Sequence, residues 1–169
     1  MKLFVENQHL AVREFNSSDL DDFARLAGNA ETMKYCPAGK LSRKQAESMF
    51  INILHHAQRN RYSLCAIEDK VSSQVVGLVG LQECSVEDTI SLNFVYRTLP
   101  EYFENNHIKS LFAQFISYLL VTHQPAKLDA VVARKNKQSV TLMESLNFKL
   151  ISNVVCRGIE SFLYRYSPQ

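Results

Sequence analysis

The polar turn at residues 104–107 has the residue types and the position from which chemistry is most readily predicted. A strand-like run ends at Pro100, the turn follows, and a strongly periodic helix begins immediately after it. A helix that starts directly behind a tight polar loop presents free backbone N–H groups, and such groups bind anions such as phosphate. The stretch that would form this anion-binding site consists of Glu104, Asn105, Asn106, His107, Ile108 and Lys109.

The histidines and cysteines do not have the spacing of a metal site. His55 and His56 are neighbours on a predicted helix, where adjacent side chains point about 100° apart, and no carboxylate or cysteine follows at ligand spacing. The cysteines are far apart in the sequence and include no C-x-x-C pair. We therefore expect no metal, and buried reduced thiols rather than disulfides. The four cysteines are Cys36, Cys65, Cys84 and Cys156.

Length and charge restrict the class of protein. At 169 residues with 46% hydrophobic content, the chain suits one compact domain with a single core, and we expect residues 1–169 to form it. A net charge of +2 gives no basic surface of the kind that nucleic-acid-binding proteins carry. No segment approaches the roughly 18 apolar residues that span a bilayer, and the first residues lack the apolar stretch of a signal peptide. We expect a cytoplasmic protein that binds neither nucleic acid nor membrane.

The elements that must position these residues follow from hydrophobic periodicity and from turn residues. A capping box at Ser42 and Gln45 marks the start of the second helix. The predicted order is β-α-α-β-β-β-α-β-α-β-β, which indicates an α/β or α+β domain with a mixed central sheet of about seven strands flanked by four helices. The predicted strands cover residues 10–15, 63–68, 74–84, 90–96, 128–133, 149–155 and 161–166. The predicted helices cover residues 18–27, 42–57, 108–120 and 138–146.

Three local motifs in this order resemble the GNAT superfamily of acyl-CoA-dependent N-acetyltransferases. They resemble in particular its branch of RimJ/RimL-like ribosomal-protein N-terminal acetyltransferases. The resemblance covers nearly the whole chain and implies the GNAT fold. The motifs are residues 10–15 with Asp19 and Leu20, residues 99–103, and Asn136-x-x-Ser139 with residues 144–148.

The resemblance implies acetyl-CoA as co-substrate, with its pyrophosphate at residues 104–109. The family loop contains glycines, whereas none remains here. Asn106 is the residue best able to adopt the left-handed conformation, and Ile108 adds bulk at the mouth of the loop. A carboxylate at Glu104 about 5 Å from a phosphate would repel it by about 3 kcal/mol at an effective dielectric constant near 20. Lys109 and a protonated His107 would offset this repulsion, and a Glu104 side chain that points outward would avoid it.

Further cofactor contacts are implied along the fourth predicted strand and before the last helix. The backbone of Phe94, Val95 and Tyr96 would hold the thioester and pantetheine, which lie in a gap between that strand and the next. Asn136 matches the family asparagine that hydrogen-bonds pantetheine. As a residue directly before a helix, it is equally explained as a helix cap.

The resemblance also assigns the proton-transfer groups. Ser139 matches a serine that protonates the departing sulfur in the RimL-like branch. Met143 stands where many relatives have a tyrosine that acts as the general acid. Asn93 stands where many relatives have a glutamate base. Glu83 and Glu87 are the nearest carboxylates that could substitute for it. The missing glutamate base favours an acceptor of low pKa, such as a peptide α-amine with a pKa near 7.7 to 8.0, over a lysine amine near 10.4.

The resemblance implies one function, and the positions that depart from the family pattern favour an alternative. The first is an N-acetyltransferase that transfers an acetyl group by direct attack of a primary amine, on a peptide N-terminus or a small molecule. Residues 28–41 and the second helix would bind this acceptor, in a monomer or homodimer. The alternative is a non-catalytic GNAT-fold binding or regulatory module with a degenerate acetyl-CoA site.

Overall fold

One mixed sheet of eight strands forms the centre of the molecule. The computed structural model describes residues 2–59, 63–86, 89–103 and 106–168. The strands are β1 (Leu3–Glu6), β2 (Leu10–Arg13), β3 (Leu64–Asp69), β4 (Val75–Val86), β5 (Thr89–Thr98), β6 (Asp129–Ala133), β7 (Phe148–Cys156) and β8 (Ile159–Tyr166). Their order in the sheet is β1-β2-β3-β4-β5-β6-β8-β7, and every neighbouring pair is antiparallel except β5 and β6.

The second helix begins at its predicted capping box, whereas the first helix is preceded by a short 3-10 helix (Ser17–Asp19) whose N-cap is Asn16. In the predicted capping box, Ser42 N–H donates to Gln45 Oε1 (2.8 Å) and Gln45 N–H donates to Ser42 Oγ (3.3 Å). In the described part of the chain no helix is long and apolar enough to cross a membrane. The helices are α1 (Leu20–Gly28), α2 (Arg43–Arg59), α3 (Pro100–Phe103), α4 (Asn106–His123) and α5 (Lys137–Ser145).

The predicted fold class is confirmed, and the structure adds two short elements to it. All seven predicted strands are present, and β1 pairs with β2 as an additional edge strand. Four half-buried or exposed residues in β1 are too few to show a clear period. The one-turn helix α3 begins at Pro100, whose fixed φ suits the first position of a helix.

Side chains of β5 alternate between two differently covered faces of the sheet. Phe94 and Tyr96 point toward α4, where their ring centroids lie 5.6 and 4.9 Å from that of Phe112. Arg97 points to the other face, where its guanidinium reaches the thiol of Cys36 in the segment between α1 and α2. Helix α4 therefore covers one face of β5 and the α1–α2 segment approaches the other.

The sheet is split between β5 and β6. Strands β4 and β5 pair through ten residue pairs, and β6 and β8 through five. Between β5 and β6 the described residues form a single register pair, Asn93 with Asp129. Beyond that pair the two parallel strands diverge, so residues 94–98 and 130–133 have no ladder between them. The resulting gap runs through the sheet from one face to the other.

Candidate active site

A cavity of about 450 Å³ occupies the gap between β5 and β6. Residues of β4, β5, β6, the start of α5, the α1–α2 segment and the tip of the β7–β8 hairpin line it. Among the residues predicted from the sequence, the lining includes Glu83, Phe94, Val95, Tyr96, Asn136 and Ser139. The structure thus brings two separately predicted groups to one site, the residues on β5 and those before α5.

Three buried side-chain polar atoms on β5 have no hydrogen-bond partner among the described residues: Asn93 Oδ1, Tyr96 Oη and Thr98 Oγ1. All three residues line the cavity. A buried polar group without a partner costs about 1–3 kcal/mol, and such groups are rare in native proteins unless a ligand or water satisfies them. Their concentration on one strand of one cavity indicates a site for a polar ligand.

Asn93 presents its unpaired oxygen at the point where the sheet divides. The residue is 1% exposed, and its Nδ2 donates to the carbonyl oxygen (3.0 Å) and the Oγ (3.1 Å) of Ser91. These two hydrogen bonds fix the amide, which leaves Oδ1 as an acceptor to which no residue in the described part of the chain donates. A ligand with an N–H group can provide that donor.

Tyr96 and Ser139 place two hydroxyl groups on the cavity wall next to each other. Burial raises the pKa of Tyr96 well above its usual value, and the neighbouring Ser139 hydroxyl lowers it by a smaller amount. Ser139 is buried, and its backbone N–H donates to Asn136 Oδ1 (3.2 Å), so Asn136 is the N-cap of α5. Tyr96 therefore stays a neutral hydroxyl that can donate a hydrogen bond at physiological pH. Met143, at the position of the family tyrosine, is fully buried beside them.

Glu83 lies at the cavity but apart from Asn93. It pairs with Leu92 on β5, and the alternation of side chains puts it on the face of Phe94 and Tyr96, opposite to that of Asn93. Its side chain is exposed and also borders a second cavity of about 500 Å³. Glu87, the other predicted carboxylate, is outside the described residues.

The start of α4 differs from the predicted anion loop in two respects. Asn106 is the first residue of the helix and is not among the described residues with positive φ, so it does not substitute for a glycine by a left-handed conformation. Ile108 is 1% exposed and packs into the core, so the expectation that it obstructs the mouth of the loop is wrong. Glu104 and Asn105 lie outside the described residues.

His107 and Lys109 occupy the first turn of α4. The ring of His107 packs against that of His9 with centroids 3.8 Å apart, and its carbonyl oxygen accepts from Asn7 Nδ2 (2.8 Å). Lys109 is exposed. The β1–β2 turn thus supports the start of α4 through side-chain contacts that the sequence did not predict.

The predicted acceptor segment, residues 28–41, bridges the two sides of the gap. Thr32 Oγ1 donates to the carbonyl oxygen of Thr98 at the end of β5 (3.0 Å). Tyr35 Oη donates to the carbonyl oxygen of Lys135, just after β6 (3.2 Å). These bonds hold the segment over the open end of the split, where residues 31–32 and 34–37 line the cavity.

Three of the four cysteines are at the cavity, which the sequence did not predict. Only Cys65 is buried, and burial raises the pKa of its thiol to about 12. Cys36, Cys84 and Cys156 are half-buried and line the cavity, so the expectation of four buried thiols is wrong for these three. Within the described residues, no group of three or more metal-ligating side chains could hold a metal ion.

Comparison with known proteins identifies the family. The family model described as "Acetyltransferase (GNAT) domain" matches residues 9–149. No curated protein sequence gives a significant match. Among solved structures, a GNAT-family acetyltransferase from Bacillus anthracis is similar, with a TM-score of 0.77, 14% identity, and coverage of 98% of this chain and 96% of that one.

Two further similar structures have names that specify a substrate. A ribosomal-protein-S5-alanine acetyltransferase from Vibrio fischeri has a TM-score of 0.78 and 15% identity, with coverage of 98% of this chain and 96% of that one. A spermidine N-acetyltransferase from Vibrio cholerae, solved with CoA and spermine, has a TM-score of 0.73 and 22% identity, with coverage of 94% of both chains. These identities show a shared fold, and the family model spans most of the sequence. The chain belongs to the GNAT acetyltransferase family.

Proposed function

We propose that this protein is an acetyl-CoA-dependent N-acetyltransferase that acetylates a primary amine by direct attack on the thioester. The observation that carries this proposal is the split between β5 and β6, because its cavity is lined by three buried polar atoms that no described residue hydrogen-bonds. A thioester, a pantetheine chain and an amine together supply donors and acceptors for such atoms.

Acetyl-CoA would lie in the gap with its pantetheine along β5. Residues Phe94, Val95 and Tyr96 follow the last register pair with β6, so their backbone groups on that side are available to the pantetheine amides. The Oδ1 of Asn136 accepts from the backbone N–H of Ser139. No described residue accepts from the Nδ2 of Asn136, so this group would donate to a pantetheine carbonyl. The pyrophosphate would bind the N-terminus of α4, where Asn106, His107, Ile108 and Lys109 would contribute backbone N–H groups and Lys109 a positive charge.

Proton transfer would depend on hydroxyl and amide groups. The amine nitrogen forms a bond to the acetyl carbon, the carbon–sulfur bond breaks, and the sulfur receives a proton while the amine loses one. Ser139 would donate to the departing sulfur, and Asn93 Oδ1 would accept an N–H of the attacking amine. Glu83 remains the predicted base. Because its side chain is on the face of the sheet opposite to Asn93, it would accept the amine proton through a bridging water molecule.

The acceptor would be an amine of low pKa, such as a peptide α-amine. An amide at position 93 cannot remove a proton from an ammonium group, so a substantial fraction of the acceptor must already be neutral. This is the RimJ/RimL-like activity, and the similarity to the Vibrio fischeri structure supports the choice of a peptide. The acceptor would enter beside residues 31–37 and the β7–β8 hairpin tip.

The decisive experiment has a binding step and a transfer step. Acetyl-CoA at about 100 times its dissociation constant should stabilise the fold by about 2.7 kcal/mol and raise the melting temperature by roughly 5–10 °C, whereas ATP should not. Transfer is then measured with a peptide bearing a free α-amine, its N-acetylated lysine-containing counterpart, and spermidine. We expect the first to react fastest, with a rate that rises through the pKa of its own amine. Preference for spermidine would refute the peptide assignment, and no binding of acetyl-CoA to the folded protein would refute the activity.

A further inference from the structure

Two cysteines from distant parts of the chain meet at the cavity. Cys84 near the end of β4 and Cys156 at the end of β7 are 72 residues apart, yet their sulfur atoms lie 3.5 Å apart within hydrogen-bond distance. Both residues are half-buried, so small molecules can reach them. Both line the cavity that holds the proposed active site.

The two cysteines stand on opposite sides of the split. Cys84 belongs to the part of the sheet that ends with β5, where it pairs with Ser91. Cys156 belongs to the part that starts with β6 and is the last residue before the tip of the β7–β8 hairpin. Arg157 and Gly158 form that tip with φ values of 49° and 77°. The hairpin tip therefore folds over the sheet to reach β4, although the two strands are not neighbours in the sheet.

We propose that Cys84 and Cys156 form a reversible oxidation site whose disulfide ties the β7–β8 hairpin tip to β4 and hinders entry of the acceptor amine. The inhibitory part of this proposal rests on the proposed function. The formation of the disulfide and its effect on the hairpin do not.

The oxidant would be a peroxide, and the step balances with two thiols and one peroxide molecule. A cysteine sulfur attacks one peroxide oxygen, the oxygen–oxygen bond breaks, and water leaves with a proton from solvent. The second thiol then attacks the resulting sulfenic acid, the sulfur–sulfur bond forms, and a second water leaves. Two electrons pass from the two sulfurs to the peroxide, and a dithiol reductant returns them.

The two sulfurs are close enough for one to resolve a sulfenic acid formed on the other. Whichever sulfur attacks the peroxide first, its neighbour lies 3.5 Å away and can attack the resulting sulfenic acid. The sulfurs must approach from 3.5 Å to a bond length of about 2 Å, and a hairpin tip that contains a glycine can move that far.

The other two cysteines are suitable controls. Cys65 is buried, with a thiol pKa raised to about 12. Cys36 lines the same cavity, but its sulfur accepts from the Arg97 guanidinium at 3.5 Å. A Cys36→Ser variant therefore removes a thiol from the cavity without touching the Cys84–Cys156 pair.

The test starts with the reduced full-length protein, treated with hydrogen peroxide and digested without reduction. We expect peptides that contain Cys84 and Cys156 to be linked, with two of the four thiols lost and both recovered with dithiothreitol. The link should persist in Cys36→Ser and vanish in Cys84→Ser and Cys156→Ser. In each of these single variants, dimedone should trap sulfenic acid at the cysteine of the pair that remains. Peroxide that links Cys36, or that oxidises Cys156 without linking it, would overturn the assignment.

Two readouts on the oxidised protein test the consequence. Amide hydrogen exchange at residues 156–159 should slow, because the tip is tied to β4. Acetyl transfer should fall roughly 10- to 100-fold and recover on reduction, because displacement near the reacting atoms by about 1 Å can have effects of this size. A disulfide that leaves exchange unchanged would refute the tie. If exchange slows but reduced protein never transfers acetyl groups, the proposed function fails and the oxidation site stands.

Discussion

Asn93 on β5 and Asp129 on β6 form the register pair at which the sheet divides, and each is fixed by hydrogen bonds within its own part of the sheet. Asn93 is bound through its amide to Ser91 on the same strand. Asp129 is 2% exposed, and both of its carboxylate oxygens accept from Arg165 on β8 (2.7 and 3.0 Å). Polar contacts therefore fix the Asn93–Asp129 pair, which is the apex of the gap, and the cavity begins directly beyond this pair.

The ion pair at this apex predicts a stability effect. Replacing Arg165 by methionine keeps most of the side-chain volume but leaves the buried Asp129 carboxylate without its partner. Loss of one member of a buried pair costs about 3–5 kcal/mol, and partial exposure of Arg165 places this case near the lower end, about 3 kcal/mol. Urea unfolding at pH 7 measures the change. The double variant Asp129→Asn with Arg165→Met should recover most of the loss, and equal stability of the single and double variants would contradict the prediction.

Removing the unpaired oxygen of Asn93 should impair transfer more than binding of acetyl-CoA. In Asn93→Ala the attacking amine loses its proposed acceptor, and loss of a hydrogen bond to a polar substrate group costs about 1–3 kcal/mol, or roughly 5- to 150-fold in kcat/KM for the amine. The KM for acetyl-CoA should remain near its original value. Ser91→Ala is the matched control, because it removes one partner of the amide nitrogen and leaves the oxygen in place. An equal loss in both variants would assign Asn93 a purely structural role.

The hydroxyl of Tyr96 should matter for catalysis and not for folding. Tyr96→Phe removes a buried hydroxyl that has no partner within hydrogen-bond distance among the described residues, so the free energy of unfolding should stay constant or rise by about 1 kcal/mol. Because this hydroxyl lies beside Ser139, kcat should fall about tenfold, as it should more severely in Ser139→Ala. Tyr102→Phe is the control: its hydroxyl donates to Asp69 Oδ2 (2.9 Å), so this variant should lose about 1 kcal/mol of stability with normal transfer. A Tyr96→Phe variant that is less stable but fully active would contradict the prediction.

The secondary structure of this chain was largely predictable because its signals are local. Each signal involves residues that are close together in the sequence. Examples are the end of the strand pattern before Pro100, the capping box at Ser42 and the apolar stripe of α4. The same holds for Asn136 and Ser139, which are three residues apart at the start of α5.

What the sequence did not predict depends on register and on distant contacts. The direction of the Ile108 side chain was inferred from its place in a motif, whereas the first turn of α4 rotates it into the core. The hydroxyls of Tyr96 and Thr98, which have no hydrogen-bond partner among the described residues, become recognisable only once β5 is paired with β4 on one side and separated from β6 on the other. The Cys84–Cys156 contact needs the β7–β8 hairpin to fold over the sheet, which no local pattern specifies.

The buried thiol of Cys65 predicts how stability depends on alkaline pH. Burial raises its pKa from 9.0 to about 12, so the folded protein retains a proton that the unfolded chain loses above pH 9. The free energy of unfolding should therefore be insensitive to this thiol below pH 9 and fall between pH 9 and about 12, by roughly 1 kcal/mol per pH unit. Urea unfolding of the wild type and Cys65→Ala at several pH values isolates this effect.

The variant should be less stable at pH 8, by about 1–2 kcal/mol for the lost packing, and the deficit should shrink or reverse by pH 11. Ile67→Val, a truncation of a fully buried neighbour on β3 without a titratable group, should show a constant deficit over the same range. Parallel pH profiles for the wild type and Cys65→Ala would show that the thiol ionises in the folded state as readily as in the unfolded one.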